Sequence, residues 1–288
     1  MRFVIGLALS CLSALAQQQP LSLTVHSLKE GSTYWIEGGG GNSTVVIGQN
    51  GVIIVDAKTT PEGGKQLVAE ISKLTPKRIT HVILTHSDGD HVNGLAGFPD
   101  GLTIIAHQNN KNEQEAALKS GGRGAPPANR LPTQVVSKDK ETMKIDGVNV
   151  TLLHWAPAHT SGDLVVLFPD QRLVATGDII ATQLPDALIH LEKNGSSEGW
   201  IKTVKGIVAL NADQFVPGHG NLQTKADIES RLTAVQEKRN KIAAMVKEGK
   251  SLDEIRQAVR DAPPPAPGGR GPNFPSFTQV VYQELTKK

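Results

Sequence analysis

The chain has 288 residues, 38% of them apolar and 20% charged. That is enough for one large globular domain or two small ones, and it excludes both a membrane bundle and a wholly disordered chain. Thirty Lys and Arg against 28 Asp and Glu leave a net charge of +2 with no long run of one sign, so no nucleic-acid partner is expected.

Arg2 precedes the apolar run Phe3–Cys11, and Ala14-Leu15-Ala16 has the small-x-small form that signal peptidase cuts. Residues 1–16 are therefore expected to be a signal peptide, with Gln17 opening a secreted or periplasmic mature chain. The run is too short to span a bilayer, and no integral membrane segment is expected after its removal. Cys11, the only cysteine, lies inside it, so any metal in the mature chain must be held by histidine and carboxylate.

Strands and helices alternate along residues 17–288, which are expected to form a single domain with a helical C-terminal extension from about residue 223. Val45–Ile47 and Val52–Val55, joined by Gly48-Gln49-Asn50-Gly51, read as a hairpin with Asn-Gly turn chemistry. Pro61 to Leu74 has helical spacing, and Thr80 to Thr85 reads as a buried strand. Further strands are expected at Leu102–Ala106, Val148–Trp155, Leu164–Phe168 and Leu173–Thr176. Further helices are expected at Asn110–Lys119, Glu198–Leu210, Lys225–Glu248, Leu252–Arg260 and Phe277–Leu285. Gly121–Pro127 and Gly268–Pro272 are too rich in glycine and proline for regular structure and read as solvated loops.

The chemistry lies at strand ends. Thr85-His86-Ser87-Asp88-Gly89-Asp90-His91 carries four potential metal ligands within six residues, and a loop leaving a buried strand can point them to one place. Ala158-His159-Thr160-Ser161-Gly162-Asp163, Thr176-Gly177-Asp178 and Val216-Pro217-Gly218-His219-Gly220 each set a His or an Asp beside a turn-forming glycine. His26, His81, His107, His154 and His190 have no such setting and read as packed, capping or surface side chains.

Asp56 after an early strand, the loop His86 to His91, and then His159, Asp178 and His219 together resemble the metallo-β-lactamase superfamily of metal-dependent hydrolases, over Thr24 to Leu222. The resemblance implies an α/β protein of the four-layer αββα sandwich type, with a metal site at one edge. It implies two divalent ions, zinc above all: His86, position 88 and His159 on the first, Asp90, His91 and His219 on the second, and Asp178 bridging them. Asp56 would fix the His loop without binding metal, and Asp90 would also orient the nucleophile.

Position 88 departs from the family pattern, because Asp88 stands where the family has its second histidine. An ionised Asp88 lowers the formal charge of a two-ion site by one unit, to neutrality, and favours harder ions such as manganese or iron at the first position. Three readings stay open: an oxygen ligand completing the pair, a damaged first site with metal only at the second, and a bystander.

Two function classes follow. The first is a secreted hydrolase that uses a metal-bound hydroxide on an ester, lactone, thioester or amide bond of a small molecule, β-lactams included. The bridging Asp178 counts against a strict β-lactamase, whose family members usually lack it. The second is a metal-binding protein of the same fold without turnover, its first site weakened by Asp88.

Overall fold

In the computed structural model, which describes residues 22–121, 125–261 and 274–287, the first seven strands pair in chain order into one sheet. They are β1 (Thr24–Lys29), β2 (Thr33–Glu37), β3 (Ser43–Ile47), β4 (Val52–Val55), β5 (Ile79–Ile83), β6 (Thr103–His107) and β7 (Gln134–Val136). β1 to β4 run antiparallel, and β4 to β7 run parallel. The second sheet holds β8 (Lys140–Ile145), β9 (Val148–Leu153), β10 (Val165–Phe168), β11 (Leu173–Ala181) and β12 (Gln214–His219). It is antiparallel except where β12 lies parallel to β11.

The helices are α1 (Pro61–Leu74), α2 (Gly89–Val92), α3 (Gln108–Ser120), α4 (Ser197–Val208), α5 (Lys225–Lys247), α6 (Leu252–Val259) and α7 (Phe277–Thr286). Their starts are written locally. Thr60 accepts a hydrogen bond from the Gly63 amide with Pro61 at the first helical position, and Thr224 and Asp227 form a reciprocal capping box at α5.

Alternation along the strands sets the layers. Ile53 and Val55 of β4 face Leu152, Val166, Phe168 and Val216 across the space between the sheets. Val52 and Ile54 turn outward onto Leu67 and Ile71 of α1. On the far side, Val174 and Phe215 pack against Trp200, Val204 and Ile207 of α4, with Val235, Ile242, Ile255 and Val280 of the last three helices behind them. Each such aliphatic side chain contributes about 1.5–3 kcal/mol on burial. The result is the expected αββα sandwich.

Several boundaries differ from the sequence reading. β1 and β8 carry polar residues at alternate positions because each is an edge strand with one solvated face. β2 and β7 were likewise not anticipated. β9 ends at Leu153, short of Trp155. β11 does not stop at Thr176; it runs through Asp178 to Ala181, with its register against β12 shifting around Gly177. Asp178 therefore projects from within a strand, at an irregularity that re-aims side chains. Residues 1–21, Gly122–Gly124 and Gly268–Pro272, on which the signal-peptide reading and most of the two loop readings fall, lie outside the described residues. Gly121 closes α3 in a left-handed conformation.

Candidate metal centre

The buried strand β5 delivers the loop Leu84 to Asp88 to one edge of the sandwich, and the short helix α2 turns Asp90 and His91 back under it. The β9–β10 connection brings His159, β11 brings Asp178 and the end of β12 brings His219. All seven residues that the sequence singles out as ligand candidates meet there.

They form two clusters able to hold a metal ion, His86, Asp88, His159 and Asp178 in one and Asp90, His91 and His219 in the other. In the first, Asp88 Oδ2 lies 3.2 Å from His159 Nε2 and 3.7 Å from His86 Nε2. In the second, Asp90 Oδ2 lies 3.0 Å from His219 Nε2 and 3.7 Å from His91 Nε2. Asp178 spans both: Oδ1 is 3.2 Å from His91 Nε2 and 3.5 Å from His219 Nε2, while Oδ2 is 3.9 Å from His86 Nε2 and 4.0 Å from His159 Nε2.

The donor set fits divalent cations. His86 Nε2 and Asp178 Oδ1 are buried without any hydrogen-bond partner, a costly state for polar atoms unless a ligand satisfies them. The imidazoles are also held from behind. His91 Nδ1 is 2.8 Å from Asp56 Oδ2, His86 Nδ1 is 2.9 Å from Thr85 Oγ1, and His159 Nδ1 is 3.0 Å from the Leu188 carbonyl. Such partners leave the Nε2 lone pair facing the metal position. Asp56 also falls within reach of His86 and His91, yet its oxygens are occupied, Oδ1 by the Thr85 amide at 2.8 Å and Oδ2 by the Thr85 hydroxyl at 2.7 Å and His91.

Close approach explains two glycines and an unexpected lysine. A Cβ on Gly41 would stand 2.2 Å from the His91 ring, and one on Gly218 would stand 1.9 Å from Asp178 Oδ1. Lys58 is completely buried and donates to the carbonyls of Ile36 at 2.6 Å and Gly41 at 2.8 Å, tying the glycine loop under His91. Burial pushes its ammonium down to about 7, against the opposing pull of Asp56 and Glu37.

Three site residues escaped the sequence reading. His190 is 3% exposed, sits edge-on to His159 with ring centroids 4.6 Å apart, and points Nε2 at Asp88 Oδ2 from 3.5 Å while Glu192 holds its Nδ1. Lys193 donates to Asp88 Oδ1 and, at 2.9 Å, to the Ser87 hydroxyl. Glu113 of α3 accepts from Ser87 at 2.6 Å and from Ser161 at 2.7 Å, one oxygen for each ligand-bearing loop. The run His190-Leu191-Glu192-Lys193 is the only sequence signal for the first two, and Glu113 has none. The other plain histidine readings hold: His107 caps α3 and stacks on His154 at 4.2 Å, His26 stacks on Trp35 at 4.1 Å, and His81 lies in β5.

Protonation in the metal-free chain follows this packing. Burial works to raise the carboxyls of Asp178 and Asp88, but the facing imidazoles outweigh it and hold both well below the usual carboxylate range. Burial opposes charge on His159 as well, yet Asp88 and Asp178 lift it to about 9, and Asp178, Asp56 and Asp90 lift His91 well above its ordinary value. The carboxylates thus make His159 and His91 hold their protons more tightly than usual, and a cation can take the place of those protons.

Residues 36–219 match the family model described as the metallo-beta-lactamase superfamily. Among curated relatives, the chain is 27% identical over 205 residues to the 2,4-dinitroanisole O-demethylase subunit alpha of Nocardioides sp. (strain JS1661), spanning 69% of this chain and 58% of that one. It is 26% identical over 191 residues to a metallo-beta-lactamase type 2 of Bacillus sp. (strain 170), spanning 64% of this chain and 68% of that one. The solved sec-alkylsulfatase of Pseudomonas sp. superposes with a TM-score of 0.70 at 16% identity, over 91% of this chain and 50% of that one. A metallo-beta-lactamase from Pontibacter korlensis superposes with a TM-score of 0.62 at 16% identity, over 75% and 99%. The two structures share the fold, and this chain spans little more than half the length of the demethylase subunit and half that of the alkylsulfatase. On the family match across most of its length, the chain belongs to the metallo-beta-lactamase superfamily.

Proposed function

We propose that this protein is a two-ion metallohydrolase acting outside the cytoplasm on an ester, lactone, thioester or amide bond of a small molecule. The observation that carries the reading is Asp178, whose two oxygens face two separate clusters of imidazole and carboxylate from within a buried strand. His86, Asp88 and His159 would hold the first ion, Asp90, His91 and His219 the second, and Asp178 would bridge them.

When bound, divalent ions would polarise the scissile group and acidify a water molecule. The chain supplies the rest. Asp90, a third exposed at its side chain, would accept a hydrogen bond from the attacking water and orient it. Asp56, Thr85 and the Leu188 carbonyl would keep the imidazoles of His91, His86 and His159 turned toward their ions. Glu113 would hold the two ligand-bearing loops at a fixed separation, so that little reorganisation is needed during the reaction.

Relatives bearing the names of a thioesterase, an alkylsulfatase, a demethylase and a β-lactamase support the hydrolase class over the reading without turnover. The order of Arg2, the apolar run and Ala14-Leu15-Ala16 supports export. The test is a hydrolysis screen over lactones, β-lactams, thioesters and sulfate and carboxylate esters. We expect turnover of at least one class that is abolished by a chelator and by Asp178→Ala; chelator-insensitive turnover in both proteins contradicts the proposal.

A further inference from the structure

Among the described residues, Asp88 is the one candidate ligand whose side chain also pairs with a lysine or arginine. Oδ2 faces the imidazoles of His159 and His86, while Oδ1 accepts from Lys193 Nζ. The carboxylate is mostly buried at 14% side-chain exposure, and Lys193 is three-quarters covered. Lys193 is not a surface side chain that happens to reach inward. Its backbone turn is fastened at both ends to the His159 loop: the His190 amide donates to the His159 carbonyl at 2.8 Å, and the Ser161 amide donates to the Lys193 carbonyl at 2.8 Å. Its ammonium also meets the Ser87 hydroxyl, which Glu113 fixes in turn.

We infer that Asp88 and Lys193 work as one unit in place of a neutral imidazole, a role that rests on the two-ion reading above. Two consequences of a carboxylate in that position need correcting, and Lys193 corrects both. A free carboxylate can offer both oxygens to one ion and so favours harder, higher-coordinate metals; the charge-assisted bond from Lys193 occupies Oδ1 and leaves Oδ2 alone for the metal. A carboxylate also removes one unit of positive charge from the site, and the ammonium beside it returns that unit. Lys193 is thus a positioning residue that keeps a carboxylate-bearing site close to the charge of a three-histidine one.

This unit has an unusual signature. If the two act as one unit, Lys193 beside Asp88 belongs to a bonded pair with the net charge of a neutral imidazole, whereas beside a histidine it loses its partner and its ammonium is an added charge facing the cation. The test measures zinc and manganese affinity of the metal-free full chain by competition with a chromophoric chelator, for wild type, Lys193→Met, Asp88→His and the double variant. The first position is identified as the equivalent lost in His159→Ala.

For that equivalent, Asp88→His alone should weaken zinc binding about tenfold or more, and adding Lys193→Met should recover most of the loss. Lys193→Met alone should not weaken zinc, and should shift preference toward manganese, with a weaker visible absorption of the cobalt-loaded protein as coordination number rises. Lys193→Gln serves as a second variant, and thermal unfolding of each metal-free protein checks that it folds. Lys193→Met changing affinity by the same factor in both backgrounds overturns the inference while leaving the two-ion reading intact. Wild type that takes up no metal overturns both.

Discussion

Oδ2 of Asp56 lies 2.8 Å from Nδ1 of His91, at the carboxyl end of β4, and the same carboxylate holds the Thr85 amide and hydroxyl that precede His86. One buried side chain therefore orients an imidazole of each cluster. Asp56→Ala should lower affinity for the second ion by about 10–100-fold, with a smaller loss at the first, where Thr85 still holds His86. Metal titration of the purified variant checks this; unchanged affinity at both positions would remove Asp56 from the site.

The two clusters should empty independently. His219→Ala and Asp90→Ala should each leave one equivalent of metal per chain, and so should His159→Ala, but the retained equivalent should differ. Asp178→Ala should weaken both. Elemental analysis after dialysis distinguishes these patterns from a single shared site, which would lose everything with any one change.

Metal uptake should depend steeply on pH. His159 in the metal-free chain is lifted to about 9 by Asp88 and Asp178, against the effect of burial, and the ion must displace that proton. Each proton displaced costs about tenfold in apparent affinity per pH unit below its pKa. Zinc affinity should therefore climb by at least that factor from pH 7 to pH 8 and flatten near 9, after correction for the chelator's own protonation. A flat profile would mean that the site is preformed with neutral imidazoles.

Lys58 gives a stability prediction of opposite character. Its folded pKa, pushed by burial down to about 7, lies below the unfolded value of about 10.4, so between these limits the unfolded chain binds the extra proton. This contribution makes stability rise with pH across that window and leaves it constant below pH 7. In metal-free protein the raised imidazoles of His159 and His91 work in the opposite direction over the same window, so the prediction concerns the difference: the Tm of wild type relative to Lys58→Met should increase from pH 7 to 9.5. Parallel Tm curves for the two proteins would contradict it.

What the sequence made legible follows from where information is local. His86 to His91 sit in one loop, and His159, Asp178 and His219 each carry a neighbouring glycine that lets the backbone come close, as Gly218 does against Asp178. The apolar runs of β3, β4, β5 and β10 are buried strands and read as such. β1 and β8 did not, because an edge strand with a wet face lacks a continuous apolar run. His190, Lys193 and Glu113 were hidden for a different reason: their partners lie between 26 and 106 residues away in sequence, and an isolated His, Lys or Glu looks the same on a surface as in a site. The continuation of β11 beyond Thr176 was masked by the Thr-Gly-Asp turn chemistry, which here makes a strand irregularity rather than an end.

The central claim, two ions bridged by Asp178, is tested most directly by metal content. The full chain, purified without added metal or chelator and then dialysed against excess zinc and freed of unbound ion, should carry two equivalents per chain, and Asp178→Asn fewer. Protein that is folded by its thermal transition yet retains no metal would contradict the account.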